Sequence, residues 1–161
     1  MGLRPFLALI AGVWLGFAHA GAGLAQDAPG GLMLKAKKAR YDDVKFELNN
    51  AIVNRGLVVD FNGQIGNMLE RTGPDVGSTK RIYLKAEYFI FCSARLSRQM
   101  MEADARNLGL CPFVVFIYEP SDSPGTIYVG HRQLSPASHA SGPVIAEINK
   151  LLDGIVADAV K

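Results

Sequence analysis

The sequence predicts an α+β domain of two layers, a mixed, mainly antiparallel sheet of about five strands with helices packed on one face. Helix-like and strand-like segments follow one another in the order β-α-β-α-β-α-β-β-α. Two adjacent strands are joined by a turn rich in Pro, Ser and Gly, as in an antiparallel hairpin. The chain has 161 residues, 49% apolar and 20% charged, which suits a single globular domain rather than a disordered chain.

The first half of the chain body alternates short strands and helices. A basic run at 35–40 predicts a solvated first strand, and Asp42 or Asp43 is expected to cap a helix that ends before Gly56. A compact strand follows at 57–61, and a short second helix stops at 72–74. The apolar residues of the first helix recur at helical spacing: Val44, Leu48, Ala51 and Ile52.

The second half contains the longest strand and the longest helix. Residues 82–92 are rich in aromatic and β-branched side chains, and Ser93 is positioned to cap a helix that runs to about Asp104. The strand at 113–118 is apolar at every position, which predicts a central place in the sheet, and 126–130 returns as its hairpin partner. The last helix opens at Ser141-Gly142-Pro143 and carries one apolar stripe: Val144, Ile145, Ile148, Leu151, Leu152, Ile155 and Val156.

The N-terminus is typical of a secretory signal peptide. Arg4 precedes a short apolar stretch, and small residues then offer cleavage after Ala20 or after Ala25. We therefore expect a signal peptide at 1–25, a flexible Gly/Pro/Ala-rich leader at 26–37, and one domain at 38–161. The predicted location is the periplasm, without stable membrane insertion after cleavage. A retained membrane anchor is the alternative reading of the same stretch.

Two segments of the chain body each contain one cysteine. They are YFIFCSAR at 88–95 and LCPFVVFIYE at 110–119, which place one Cys at the end of a strand and a second, Pro-adjacent Cys at the start of the next. Together these segments resemble the DUF302 family. The first segment departs from the family pattern, because Cys92-Ser93-Ala94 stands where many members have Cys-Asn-Pro. The resemblance spans roughly 41–134. It implies a small two-layer α/β domain, often paired as a dimer, and it implies no reaction.

The two cysteines, Cys92 and Cys111, leave two pairing outcomes open. Outside the cytoplasm two thiols in one small domain tend to form a disulfide. If the flanking strands run antiparallel, both sulfurs lie at the same end of the sheet and can meet. If the intervening helix is a parallel crossover, they lie a strand length apart and cannot.

The function that we predict is a small, non-enzymatic binding or accessory module whose partner is a small ligand or a periplasmic protein. Its expected pocket lies where the turn after Cys92 meets Cys111, with these candidate ligand-binding residues: Ser93, Arg95, Arg98 and Pro112. The first alternative is a thiol–disulfide redox protein that uses the same cysteines, because a helix N-terminus lowers the pKa of a nearby thiol.

The second alternative is a haem or copper carrier. Its donors would come from the two cysteines and from these side chains: His131, His139, Met100 and Met101. No cofactor or metal is predicted as the first choice, since no two Cys or His residues show the close spacing of a metal motif. A net charge of +2 gives no indication of nucleic-acid binding, and a homodimer stays open.

Overall fold

The computed structural model describes residues 31–161 and contains one five-stranded sheet. The strand order is β1-β5-β4-β3-β2, and all four neighbouring pairs are antiparallel. The predicted α+β fold is confirmed, and so is the hairpin of β4 with β5. The strands are β1 (Leu32–Lys38), β2 (Val58–Gly63), β3 (Tyr83–Cys92), β4 (Phe113–Pro120) and β5 (Thr126–Arg132), and the helices are α1 (Tyr41–Val53), α2 (Ile65–Thr72), α3 (Ala94–Ala103) and α4 (Gly142–Ala159).

The first strand begins earlier than predicted. Residues 32–37, which the sequence assigned to a flexible leader, form most of β1, so that part of the leader assignment is wrong. β1 pairs along its whole length with β5, from Leu32 opposite Arg132 to Lys38 opposite Thr126. This partner lies almost a hundred positions away, and local composition gives no sign of it. The predicted signal peptide at 1–25 and the leader residues 26–30 lie outside the described residues.

The hydrophobic core lies between one face of the sheet and three helices, α1, α3 and α4. Alternate residues of the strands point into this core, among them Phe89, Phe91 and Val115. The predicted apolar stripe of α4 faces the core as well. Its fully or almost fully buried members are Ile145, Ile148, Leu152, Ile155 and Val156.

α2 lies on the second face of the sheet. Its Gly66 sits directly over Ala86 of β3, where an added Cβ would come within 2.9 Å of the Ala86 backbone nitrogen. Because α2 has only eight residues, it covers just the end of the sheet near the start of β3. The remainder of this second face, called the open face below, has no helix of residues 31–161 packed on it.

Of the predicted helix caps at α3 and α1, one is present in the structure and the other is not. Ser93 does cap α3, since its Oγ accepts a hydrogen bond from the Leu96 N–H at 3.4 Å. α1 begins at Tyr41 after Arg40, with no side-chain cap, so capping by Asp42 or Asp43 is wrong. Asp42 lies in the first helical turn instead, where a carboxylate favours the helix dipole, and pairs with Lys85.

A buried amide joins α3 to the segment before α4. Asn107 is fully buried in the short 3-10 helix Ala105–Leu110. Its Nδ2 donates to the Met100 carbonyl and to Ser141 Oγ, each at 2.8 Å, and its Oδ1 accepts from the Ala137 N–H at 3.3 Å.

Over residues 31–161, no helix combines the length and the apolar character that crossing a bilayer demands.

Candidate functional site

The open face carries a row of half-buried aromatic side chains across three neighbouring strands. The rings of Tyr118 and Tyr128 stack at 5.0 Å between centroids with an interplanar angle of 10°. Tyr83 meets Tyr118 edge-on at 5.5 Å, and the Phe116 ring on the same strand as Tyr118 lies 6.2 Å from it. Strand alternation places these residues together, because positions of one parity along adjacent strands share one face.

A cavity of about 370 Å³ opens between α2 and this aromatic row. Ile65 and Leu69 of α2 form one wall, and Leu32 and Leu34 of β1 form the opposite wall. Burial and the neighbouring Tyr128 and Tyr83 phenols raise the pKa of Tyr118, so its hydroxyl stays protonated at neutral pH. The cavity therefore offers apolar walls, the neutral phenol of Tyr118 and, at one point of its lining, the carboxylate of Glu87.

A second cavity of about 380 Å³ adjoins the first and extends from the open face around the end of the sheet, where Leu110 of the 3-10 helix and Leu152 of α4 also line it. The two cavities share Leu32 and Phe116, and together they are called the groove below. The far end of the groove is lined by Pro112 and Arg132. Among residues 31–161, the Arg132 guanidinium has no carboxylate within ion-pairing distance, so the groove ends in a positive charge that is free to bind an anion.

Gly130 lies directly beneath Phe116 and Leu34, two side chains that line the groove. A Cβ at this position would lie 2.4 Å from the Met33 carbonyl oxygen, 2.8 Å from the Phe116 ring and 2.9 Å from a Leu34 methyl group. Only a residue without a side chain lets the ring and the neighbouring strand approach β5 this closely. Sequence reasoning did not single out Gly130, because a glycine near a strand end also fits an ordinary turn.

The four predicted ligand-binding residues do not lie in one arrangement. Arg95 Nη2 pairs with Glu147 Oε1 at 2.5 Å, and Arg98 Nε pairs with Glu102 Oε1 at 2.6 Å, both on the protein surface. These carboxylates occupy the two guanidinium groups that were expected to hold an anion. Ser93 is used as the helix cap, and Pro112 is the member of the set that lines the groove.

Cys92 and Cys111 are brought together because β3 and β4 are antiparallel neighbours. Phe91 is directly opposite Phe113, which places Cys92 and Cys111 just beyond the last pair of this ladder. Both are free thiols, Cys92 exposed and Cys111 half-buried. Partial burial, the charge and hydrogen bond of Cys111, and the Asp60 carboxylate raise the pKa of Cys92. The sequence could state this outcome only as one of two alternatives.

The donors considered for haem or copper are dispersed. His131 is fully buried, with Nε2 2.8 Å from Asp153 Oδ1 and Nδ1 3.0 Å from the Arg132 carbonyl oxygen. Met100 is fully buried in the core, whereas His139 is exposed at the start of the 3-10 helix His139–Ser141. Within the described range, no cluster of three or more His, Cys, Asp and Glu side chains forms a metal-binding arrangement.

A buried acid that the sequence did not single out lines part of the first cavity. Glu87 is 7% exposed and accepts hydrogen bonds from Lys45 at 2.5 Å, Gln64 at 2.9 Å and the Tyr41 hydroxyl at 3.3 Å. Burial alone would raise its pKa, but the bonds from Lys45 and Gln64 outweigh burial and lower it. Its partners come from α1 and from the residue before α2, so this carboxylate holds both helices against β3.

Comparison with solved structures identifies the fold. The chain is similar to the crystal structure of an uncharacterized conserved protein, DUF302, from Bacillus stearothermophilus, with a TM-score of 0.67 and 12% sequence identity. The match covers 81% of this chain and 98% of that one. The chain therefore has a DUF302-like fold, as the two cysteine-containing segments predicted. No protein-family model matches the sequence, and no curated protein matches it.

Proposed function

We propose that this chain is a non-enzymatic binding module whose ligand is a small amphipathic acid held in the groove of the open face. The observation that carries the proposal is the combination of an apolar, aromatic-lined groove with Arg132 at one end, which has no ion-pair partner among residues 31–161. Ligand sites are mostly apolar concavities with a few polar groups that fix orientation. An aliphatic or flat aromatic body would lie along Phe116 and Leu32, and its carboxylate would meet the guanidinium.

The groove favours an acid over a neutral molecule of the same length. A guanidinium binds a carboxylate through two parallel N–H donors, and a hydrogen bond to a charged group is worth about 1.5–3 kcal/mol. Every 1.4 kcal/mol corresponds to a factor of about ten in affinity. We therefore expect an acid to bind at least about ten times more tightly than the matching alcohol.

Calorimetric titration with decanoate and with decanol tests this proposal. The wild-type chain should bind decanoate more tightly, and Arg132→Gln should remove the preference while leaving decanol binding unchanged. Arg98→Gln is the matched control, since Arg98 is exposed, ion-paired and outside the groove. Equal binding of decanoate by wild type and Arg132→Gln would contradict the assignment. Size-exclusion chromatography in parallel shows whether a second copy of the chain occupies the open face instead.

We infer export to the periplasm from residues 1–25. Fractionation of the host cell should recover the protein outside the cytoplasm, with a mature N-terminus at residue 21 or 26. An intact N-terminus on protein from the cytosolic fraction would contradict export.

The redox and metal-carrier alternatives have weaker support. A redox-active cysteine needs a stabilised thiolate, and the pKa of Cys92 is shifted in the opposite direction. A haem or copper carrier needs several donors around one point, whereas His131 is already engaged by Asp153.

A further inference from the structure

The strand register places two thiols at one corner of the sheet. Cys92 is the last residue of β3, directly after Phe91, which is paired with Phe113. Cys111 lies two residues before β4, the strand that is antiparallel to β3. The segment between them, α3 and the 3-10 helix Ala105–Leu110, leaves the sheet and returns to the same corner.

The surroundings of the two sulfurs differ. Cys92 is exposed and reachable from solvent. Cys111 is half-buried, with its Sγ 3.4 Å from the Ser97 hydroxyl oxygen. Cys92 can therefore react first with a bulky disulfide reagent. The half-buried Cys111 can then attack the Cys92 sulfur of the mixed disulfide.

We propose that Cys92 and Cys111 form an intramolecular disulfide by exchange with an external disulfide, either a small molecule or a protein. The deprotonated Cys92 sulfur attacks the donor, whose S–S bond breaks as a mixed disulfide forms and one donor thiolate leaves. The deprotonated Cys111 sulfur then attacks the Cys92 sulfur and displaces the second donor thiolate. The two protons from the cysteines end on the two donor thiols, so the cysteines are oxidised and the donor is reduced.

The position of this cross-link in the fold gives it a structural role. The cross-link would join both ends of the segment that carries Leu96 and Met100 into the core. Closing such a loop stabilises the native state mainly by restricting the unfolded chain.

The experiment is thiol counting after equilibration of the purified full chain with oxidised glutathione. Only two cysteines exist in the whole sequence, so denaturing alkylation should label none after oxidation and two after dithiothreitol. Tryptic digestion of the oxidised protein should yield peptides 86–95 and 107–132 joined by one bond. The oxidised chain should also melt at least about 5 °C above the reduced chain.

Variants separate the cross-link from other effects of oxidation. The double substitution Cys92→Ser with Cys111→Ser should melt at one temperature whether or not dithiothreitol is present. Two labelled thiols after oxidation, glutathione retained on Cys92, or a disulfide-linked dimer would each overturn the proposal. Neither cysteine lines the groove, and thiol counting needs no ligand, so failure of the cross-link and failure of decanoate binding are told apart.

Discussion

Replacement of Asn107 tests whether a single buried amide holds the α3 corner of the domain together. Asn107→Ala removes the two hydrogen bonds that Nδ2 donates to the Met100 carbonyl and to Ser141 Oγ, and the one that Oδ1 accepts from Ala137. Ser141 is itself fully buried and keeps a bond with Ser138 at 3.0 Å. The Met100 carbonyl loses this side-chain donor.

The magnitude follows from these contacts. A net hydrogen bond contributes about 0.5–1.5 kcal/mol, and a buried polar group left without a partner costs about 1–3 kcal/mol. Three lost bonds, partly offset by retained partners, give a destabilisation of about 3 kcal/mol. Asn107→Asp should cost more at neutral pH, because it places a carboxylate where Nδ2 now donates to a carbonyl oxygen.

Urea unfolding followed by circular dichroism measures the change in unfolding free energy. The matched control is Gln99→Ala on the exposed side of α3, whose contact with Arg95 is solvent-exposed. It should change stability by no more than about 0.5 kcal/mol. A cost below about 1 kcal/mol for Asn107→Ala would show that water or repacking replaces the amide, and would refute the reasoning.

Three further predictions concern the sheet and its two faces. The pKa of Glu87 is lower in the folded chain than its usual value near 4.5. The ionised carboxylate therefore stabilises the fold fully above pH 4.5, and this stabilisation is lost as the pH falls through the folded-state pKa. The Glu87→Gln variant should therefore be less stable than wild type at pH 7, and urea unfolding at pH 3 should show a smaller difference in unfolding free energy between the two. The same difference at both pH values would argue against a stabilising role of the ionised carboxylate. His131→Ala should cost about 2–4 kcal/mol in the same assay, because a buried ring and its bond to Asp153 are lost, and a cost within experimental error would show that this bond contributes nothing. The Gly130→Ala variant should unfold at a lower urea concentration and lose decanoate binding, because the added Cβ would lie 2.4 Å from the Met33 carbonyl oxygen. Unchanged unfolding and unchanged binding would disprove close packing beneath the groove.

Elements that depend on local signals were predictable. The apolar stripe from Ile145 to Val156 faces the core as its period of 3.6 indicates, and Ser93 caps α3 as its position before the helix predicts. The uniformly apolar segment after Pro112 is β4, third of five in the sheet order. Each signal is contained within a few neighbouring residues, so the sequence displays it directly.

The site was harder to predict because its parts are distant in the chain. Pro112 was singled out because it follows Cys111, whereas in the structure it lines the groove. Arg95 and Arg98 resemble anion ligands in the sequence, but their carboxylate partners appear only once α4 and the rest of α3 are in place. Arg132 was passed over because an arginine at a strand end is ordinary until its surroundings in the fold are known.

The sequence by itself determined the type of each main element, the hairpin and the resemblance to the DUF302 fold. Only the tertiary structure decided that 32–37 joins the sheet, that α2 crosses to the second face, and that Cys92 meets Cys111. The reason is physical: helix period, strand alternation and caps are short-range properties, whereas strand order and face depend on pairing between residues far apart. A one-residue change of register would move every side chain of a strand to the opposite face, and no local pattern reports that choice.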